Sequence, residues 1–259
     1  MGCLLLAAPE KGYVDSFDSY VADIKTFRDS IVMASPHKKT VLFGHSTGGG
    51  AATLYLERYP RDFDRAILHS PMHQINTAPY PELIAVGVGD VLELLLQGQA
   101  YAPGQVPYGQ NDQFTVNTVE HSFARWTMMR EQFAEFPELA VGGATVNWVH
   151  ESIDATFRMK TWAWTITTPF LLLQARQDEI VIPSGQDTVC GLANWRGGIC
   201  TKVSFGDPAL TTSDCDVALK GADIPTLNRC AGHELLNEHD GVRSQDERAI
   251  SDYLDQLTH

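Results

Sequence analysis

Basic residues are scarce in this sequence. Lys and Arg number 19 against 32 Asp and Glu, giving a formal net charge of −13 over 259 residues. Phosphate backbones and anionic headgroups repel such a surface, so nucleic acid is excluded as a first expectation. Also lacking is an apolar run of the roughly 18–20 residues that a membrane-spanning helix needs. The best candidate, residues 84–96, is broken by Asp90 and Glu93. Residues 1–9 carry no basic n-region and do not read as a signal peptide. No internal repeat or low-complexity tract occurs, and no two cysteines have the close spacing of a zinc site. Four of the five cysteines (Cys190, Cys200, Cys215, Cys230) nevertheless share one stretch, while Cys3 has no evident partner. Two disulfides would imply an oxidising compartment, and four reduced thiols a cytosolic one; both readings stay open.

What is present is an ordinary core-forming composition, 44% apolar and 20% charged. Phe17, Tyr20, Val21, Ile24, Phe27 and Ile31 recur at three-to-four-residue spacing and predict an amphipathic helix that ends before Pro36. The run Thr40, Val41, Leu42, Phe43, Gly44 predicts a short buried strand, apolar without alternation as parallel strands are. Small residues from Thr47 to Ala52 open a second helix, which Pro60 stops, and Ala66, Ile67, Leu68 and His69 predict the next strand. Strand, helix and strand in this order argue for a parallel sheet.

Between Pro71 and Thr168 the pattern changes to helical segments joined by Pro and Gly, with four of the five tryptophans (Trp126, Trp148, Trp162, Trp164). The α/β pattern resumes with strands at 169–175 and 201–205 and a closing helix at 244–257. The expectation is therefore an α/β domain formed by residues 1–70 and 169–259, interrupted by a helical insertion at 71–168.

Gly44-His45-Ser46-Thr47-Gly48 is a G-x-S-x-G pentapeptide. Alone it is a weak signal, but here a strand ends at Gly44 and a helix begins near Thr47. Ser46 then sits on a sharp strand-to-helix turn that lifts its hydroxyl clear of the sheet. The flanking glycines are expected because side chains there would collide with neighbouring backbone. The helix N-terminus, with the Thr47 amide, is placed to stabilise an oxyanion. The plainer alternative is a Gly/Ser turn with Ser46 as a helix cap.

A serine hydroxyl needs a base, and the base needs an orienting acid. In this kind of fold the chain order is serine, acid, histidine. Asp178 follows the 169–175 strand and is the expected acid, with Glu179 as its rival. His233 precedes the last helix and is the expected base. His239 is a weaker candidate, and His37, His121, His150 and His259 lack a strand-end context. His45 belongs to the turn itself, behind the nucleophile. His233, Glu234 and His239 have the spacing H-E-x-x-x-x-H rather than H-E-x-x-H, which argues against zinc. No metal and no cofactor is expected.

At these residues the chain resembles the α/β-hydrolase superfamily. More narrowly it resembles the lysophospholipase L2 and monoacylglycerol-lipase branch, grouped with S33-type serine aminopeptidases. The matching pieces include Gly12 to Phe17, Gly44 to Gly49, Ser70-Pro71-Met72, Gly142 to Thr145, Trp148 to Ser152, Leu171 to Ala175 and Gly232 to Leu236. The resemblance runs from about Lys11 to the C-terminus. It implies Ser46 as nucleophile, Asp178 as acid, His233 as base, Thr47 as a backbone oxyanion donor and Met72 as a substrate contact. The insertion becomes a cap for an acyl chain, with the tryptophans, Met128 and Met129 either lining that pocket or forming the cap's own core.

Such enzymes have further strands before the nucleophile, including a His-Gly loop that supplies a second oxyanion amide. No His-Gly pair occurs before Ser46. The chain is therefore expected to resemble a domain shortened at its front, with the strand at Val41 to Phe43 poorly covered on one side. The leading expectation is a serine hydrolase that cleaves the ester of a lysophospholipid or monoacylglycerol. The alternatives are an aminopeptidase-like hydrolase and a catalytically impaired lipid-binding relative. The resemblance implies a cytoplasmic enzyme peripheral to the inner membrane; paired cysteines would instead favour the periplasm or the outside.

Overall fold

Alternation of side chains along the two central strands divides the core into two faces. A computed structural model of the protein describes residues 10–78, 98–110 and 113–257. The apolar stretches at 1–8 and 84–96, Cys3 and His259 lie outside the described residues.

Four parallel strands, β1 (Val41–His45), β2 (Arg65–His69), β3 (Phe170–Ala175) and β4 (Cys200–Phe205), pair in that order. Among the described residues the helices in chain order are α1 (Phe17–Ser30), α2 (Ser46–Arg58), α3 (Phe123–Glu135), α4 (Val146–Trp162), α5 (Pro183–Ala193), α6 (Thr212–Gly221), α7 (Ile224–Leu227) and α8 (Asp240–Asp255). Ala66, Leu68, Phe170 and Leu172 face α1, α2, α4 and α5. Ile67, Leu171 and Leu173 face the other way, onto Leu235 and onto Val242 and Tyr253 of α8. Strand β3 is buried along its whole length, as its apolar run from Phe170 to Leu173 requires.

Helices α5 and α6, like the single turn α7, were not legible as periodic patterns. Helix α5 starts at Pro183, a residue suited to the first turn, and α6 starts with a capping box between Thr211 and Asp214.

Two expectations change. Helix α1 buries Phe17 and Val21, but Phe27 and Ile31 are 59% and 62% exposed, because the packing onto α2 and α4 uses its first half. The insertion expected at 71–168 includes α4, yet Ala155, Met159, Ala163 and Ile166 belong to the same core as α2 and the sheet. On this packing we assign α4 and the turn after it to the sheet domain, which leaves α3 and its flanking segments as the cap.

Among the described residues, β1 pairs with β2 alone and forms the sheet edge, with Phe43 at 46% exposure. All four clustered cysteines are paired. Cys190–Cys200 ties α5 to β4, and Cys215–Cys230 ties α6 to the segment leading into His233.

Candidate active site

The turn between β1 and α2 forces an unusual backbone. Ser46 has φ +50°, a left-handed conformation that costs a non-glycine residue on the order of 1–3 kcal/mol. The amide of Met72 donates to the Ser46 carbonyl at 2.9 Å and fastens the turn to the segment after β2. A Cβ at position 44 would lie 2.6 Å from the Gly48 carbonyl oxygen, so glycine is required there. At Gly48 nothing lies within 4 Å of an added Cβ, so the collision expected for both flanking glycines operates at one of them only.

Helix α2 begins at Ser46 itself, and its N-cap, His45, makes no side-chain capping bond. Its first-turn amides, that of Thr47 among them, have no intrahelical acceptor and carry the positive end of the helix dipole. An oxygen anion beside Ser46 would meet this end.

The structure brings Ser46, His233 and Asp178 into one hydrogen-bonded line. His233 Nε2 lies 2.7 Å from Ser46 Oγ, and His233 Nδ1 lies 2.8 Å from Asp178 Oδ2. Asp178 Oδ1 accepts the amides of Ile180 and Val181 at 2.8 and 2.9 Å, which fixes the carboxylate in its loop. A carboxylate at Oδ2 can only accept, so Nδ1 carries the proton and the Nε2 lone pair is left for the Ser46 hydroxyl. His233 and Asp178 are both buried. Glu179 is not part of this line: its backbone carbonyl accepts from Asn76 Nδ2, and burial together with nearby Asp216 raises its carboxyl.

The loop that carries His233 is held from several sides. Gly232 donates its amide to Glu238 Oε1 at 2.6 Å, Glu234 donates its amide to Val119, and Cys230 is in a disulfide. The fully buried Glu238 also accepts the His121 amide at 3.1 Å and faces His121 Nδ1 at 2.7 Å, so one carboxylate ties the segment at His121 to the loop that carries His233. Burial works against a charged His121, but Glu238 outweighs it and holds the imidazole above its ordinary value. His239 caps α8 and lies with Nε2 2.9 Å from the His121 carbonyl, well placed to donate to it.

Met72 is buried beside the turn, its thioether 3.8 Å from Thr47 Oγ1. Trp148 packs against Phe17 in the sheet-domain core, and Met128 on α3 is 54% exposed. Of the tryptophans expected to line an acyl pocket, Trp126 alone sits on α3, in a cluster with Phe114 and Phe123.

Behind His233 lie groups that no motif of the sequence marks. His69, the last residue of β2, lies with Nε2 2.8 Å from Asp246 of α8, both fully buried. His45 stands between them and the site, its ring 5.2 Å from those of His69 and His233. Burial, reinforced by His69 and His233, pushes the His45 imidazole down to about 3 and keeps it neutral. His69 and Asp246 were detectable only as a strand-end histidine and an acid on the face of α8, with nothing in their spacing to join them.

The pattern of the family described as serine aminopeptidase, S33, matches residues 6–195. Lysophospholipase L2 of Escherichia coli strain K12 is 32% identical over 256 residues, covering 96% of this chain and 67% of that protein. Among solved structures, the monoacylglycerol lipase of Paleococcus ferrophilus superposes with a TM-score of 0.61 at 19% identity, covering 94% of this chain and 76% of that one. A soluble variant of monoglyceride lipase from Saccharomyces cerevisiae superposes with a TM-score of 0.62 at 13% identity, covering 95% and 71%.

Proposed function

The chain belongs to the serine aminopeptidase S33 family of α/β-hydrolases, in its lysophospholipase L2 and monoacylglycerol-lipase branch, and on that premise we propose that it cleaves the carboxylic ester of a monoacyl lipid through an acyl-enzyme. The observation that carries this reading is the line Ser46 Oγ–His233 Nε2, His233 Nδ1–Asp178 Oδ2.

Ser46 attacks the ester carbonyl as His233 takes its proton, and the Thr47 amide stabilises the developing oxyanion. His233 returns the proton to the departing alcohol of the lysophospholipid or glycerol. Water, activated by the same imidazole, then releases the fatty acid and regenerates Ser46. Asp178 keeps the tautomer that makes this possible. Met72 forms the floor beside Thr47, and the acyl chain passes under α3.

No helix among the described residues is long and apolar enough to cross a membrane. Peripheral contact with lipid fits the exposed Phe123 and Met128 on α3, together with Phe136, Leu139 and Val141 after it. The two disulfides favour an oxidising compartment.

A panel of lysophospholipids, monoacylglycerols and aminoacyl amides tests the substrate class. Turnover of the lipid esters and not the amides is the expected result. Preference for aminoacyl amides would overturn the proposal in favour of peptidase chemistry.

A further inference from the structure

One buried nitrogen beside the catalytic histidine has no hydrogen-bond partner. His45 Nε2 is shielded from solvent and bonds to nothing, yet it lies 3.7 Å from Glu234 Oε2. Together with a nitrogen of His233, the donor atoms of His45 and Glu234 all lie within 4.8 Å of one another. They come from two sides: His45 from the end of β1, and His233 with Glu234 from the loop before α8.

We propose that His45, His233 and Glu234 form a binding site for a divalent transition-metal ion of the Zn²⁺ kind, and that its occupancy switches hydrolysis off. Two imidazoles and one carboxylate are the ligand set that suits Zn²⁺, whereas Mg²⁺ and Ca²⁺ demand oxygen. Bonds of 2.0–2.2 Å in a tetrahedron put neighbouring donors about 3.3 Å apart, so the three side chains need rotate by only about an ångström. Asp178 already stands where a metal-binding histidine needs its outer carboxylate, on His233 Nδ1 at 2.8 Å. The His45 and Glu234 side chains are 28% and 29% exposed, so the site lies near the surface although His45 Nε2 itself is covered, and a metal ion enters as these side chains rotate.

The consequence for catalysis follows from the atom used. His233 Nε2 accepts the Ser46 hydroxyl at 2.7 Å, and the same lone pair cannot bind a metal and receive a proton. Loading the site breaks the Ser46–His233 bond and removes the general base, while Ser46, Thr47 and the cap stay in place. The metal is an inhibitor, not a cofactor.

The effect on turnover rests on the triad reading above; metal binding does not. Chelator-treated protein is assayed with a soluble acyl ester against added ZnCl₂, and Co²⁺ binding to Ser46→Ala protein is followed by visible absorption. The account expects inhibition that EDTA reverses, one Co²⁺ bound per chain in Ser46→Ala, and no inhibition by Mg²⁺ at the same concentration. Losing a group that merely supports a ligand already costs roughly 10–100-fold in metal affinity, so Glu234→Gln, which replaces a direct ligand, should need at least roughly 10-fold more ZnCl₂ for the same inhibition. Thermal unfolding of Glu234→Gln verifies its fold, and His45→Gln in the Ser46→Ala background gives a second reading through Co²⁺ absorption alone. Absence of Co²⁺ binding, equal Zn²⁺ sensitivity in Glu234→Gln, or equal inhibition by Mg²⁺ would overturn the site. An inactive protein that still binds Co²⁺ through Glu234 would overturn the hydrolase reading and leave the metal site standing.

Discussion

Glu238 Oε1 lies 2.6 Å from the amide nitrogen of Gly232, so a fully buried carboxylate holds the residue that precedes His233. The same carboxylate takes the backbone and ring nitrogens of His121. Glu238→Ala leaves three buried donors unpaired, at about 1–3 kcal/mol each before relaxation. The expected outcome is a fall in thermal midpoint and, in protein that remains folded, a lower kcat with KM little changed. Glu238→Gln keeps the volume and one acceptor and should lie between wild type and alanine in both measurements.

Glu57, the half-buried residue before the last of α2, has its carboxyl pushed up to about 8 by burial, against the opposing field of Arg158. Its ordinary value is 4.5, so between pH 4.5 and 8 the folded chain binds a proton that the unfolded chain has lost. Stability from this group is full below the lower value and falls as pH rises, by at most about 1.4 kcal/mol per pH unit. Glu57→Gln should flatten the decline of thermal midpoint between pH 5 and 8 and raise stability at pH 8. An unchanged pH profile would remove Glu57 from the account.

Cys215 and Cys230 close a loop of sequence separation 15 directly before His233. Loop-closure entropy assigns such a bond about 3 kcal/mol. The double Cys→Ala variant should unfold about 6–12 °C lower and lose turnover, because the loop that carries His233 is released on one side. Removing Cys190 and Cys200, which join α5 to β4, should lower stability with a smaller effect on kcat. Thermal unfolding and steady-state kinetics of both pairs make the comparison.

The two glycines of the serine pentapeptide should respond in opposite directions. At Gly44 a methyl group would meet the Gly48 carbonyl oxygen at 2.6 Å, a backbone atom that cannot swing away. Gly44→Ala should abolish soluble, active protein. Gly48 lies in α2 with open space around it, and alanine there should raise the thermal midpoint, by an amount worth roughly 0.5–1 kcal/mol of helix propensity.

The short strands and the serine turn were legible because burial on both faces leaves a continuous apolar run at Phe170 to Leu173, because Val41 to Phe43 stays apolar although β1 is a half-exposed edge strand, and because the pentapeptide sat between strand and helix. The order of serine, acid and histidine then pointed to Asp178 and His233, which the structure brings into line with Ser46. The rest depends on contacts between distant segments. Glu238 meets His121 across the cap boundary, and His69 meets Asp246 across the sheet, with sequence separations of 117 and 177. Helix α4 read as part of the insertion because its aromatic residues mask which face is buried. The cysteines could not be paired without the fold.

The central claim is that Ser46 forms an acyl-enzyme with a monoacyl lipid. Rapid acid quench of wild-type protein turning over a lysophospholipid, followed by peptide mass spectrometry, tests it most directly. The account predicts an acyl adduct on the peptide containing Ser46 and its absence in Ser46→Ala, whose turnover falls by roughly a millionfold or to the floor of the assay. Retained lipid hydrolysis in Ser46→Ala, or turnover by wild type with the adduct on another residue, would contradict it.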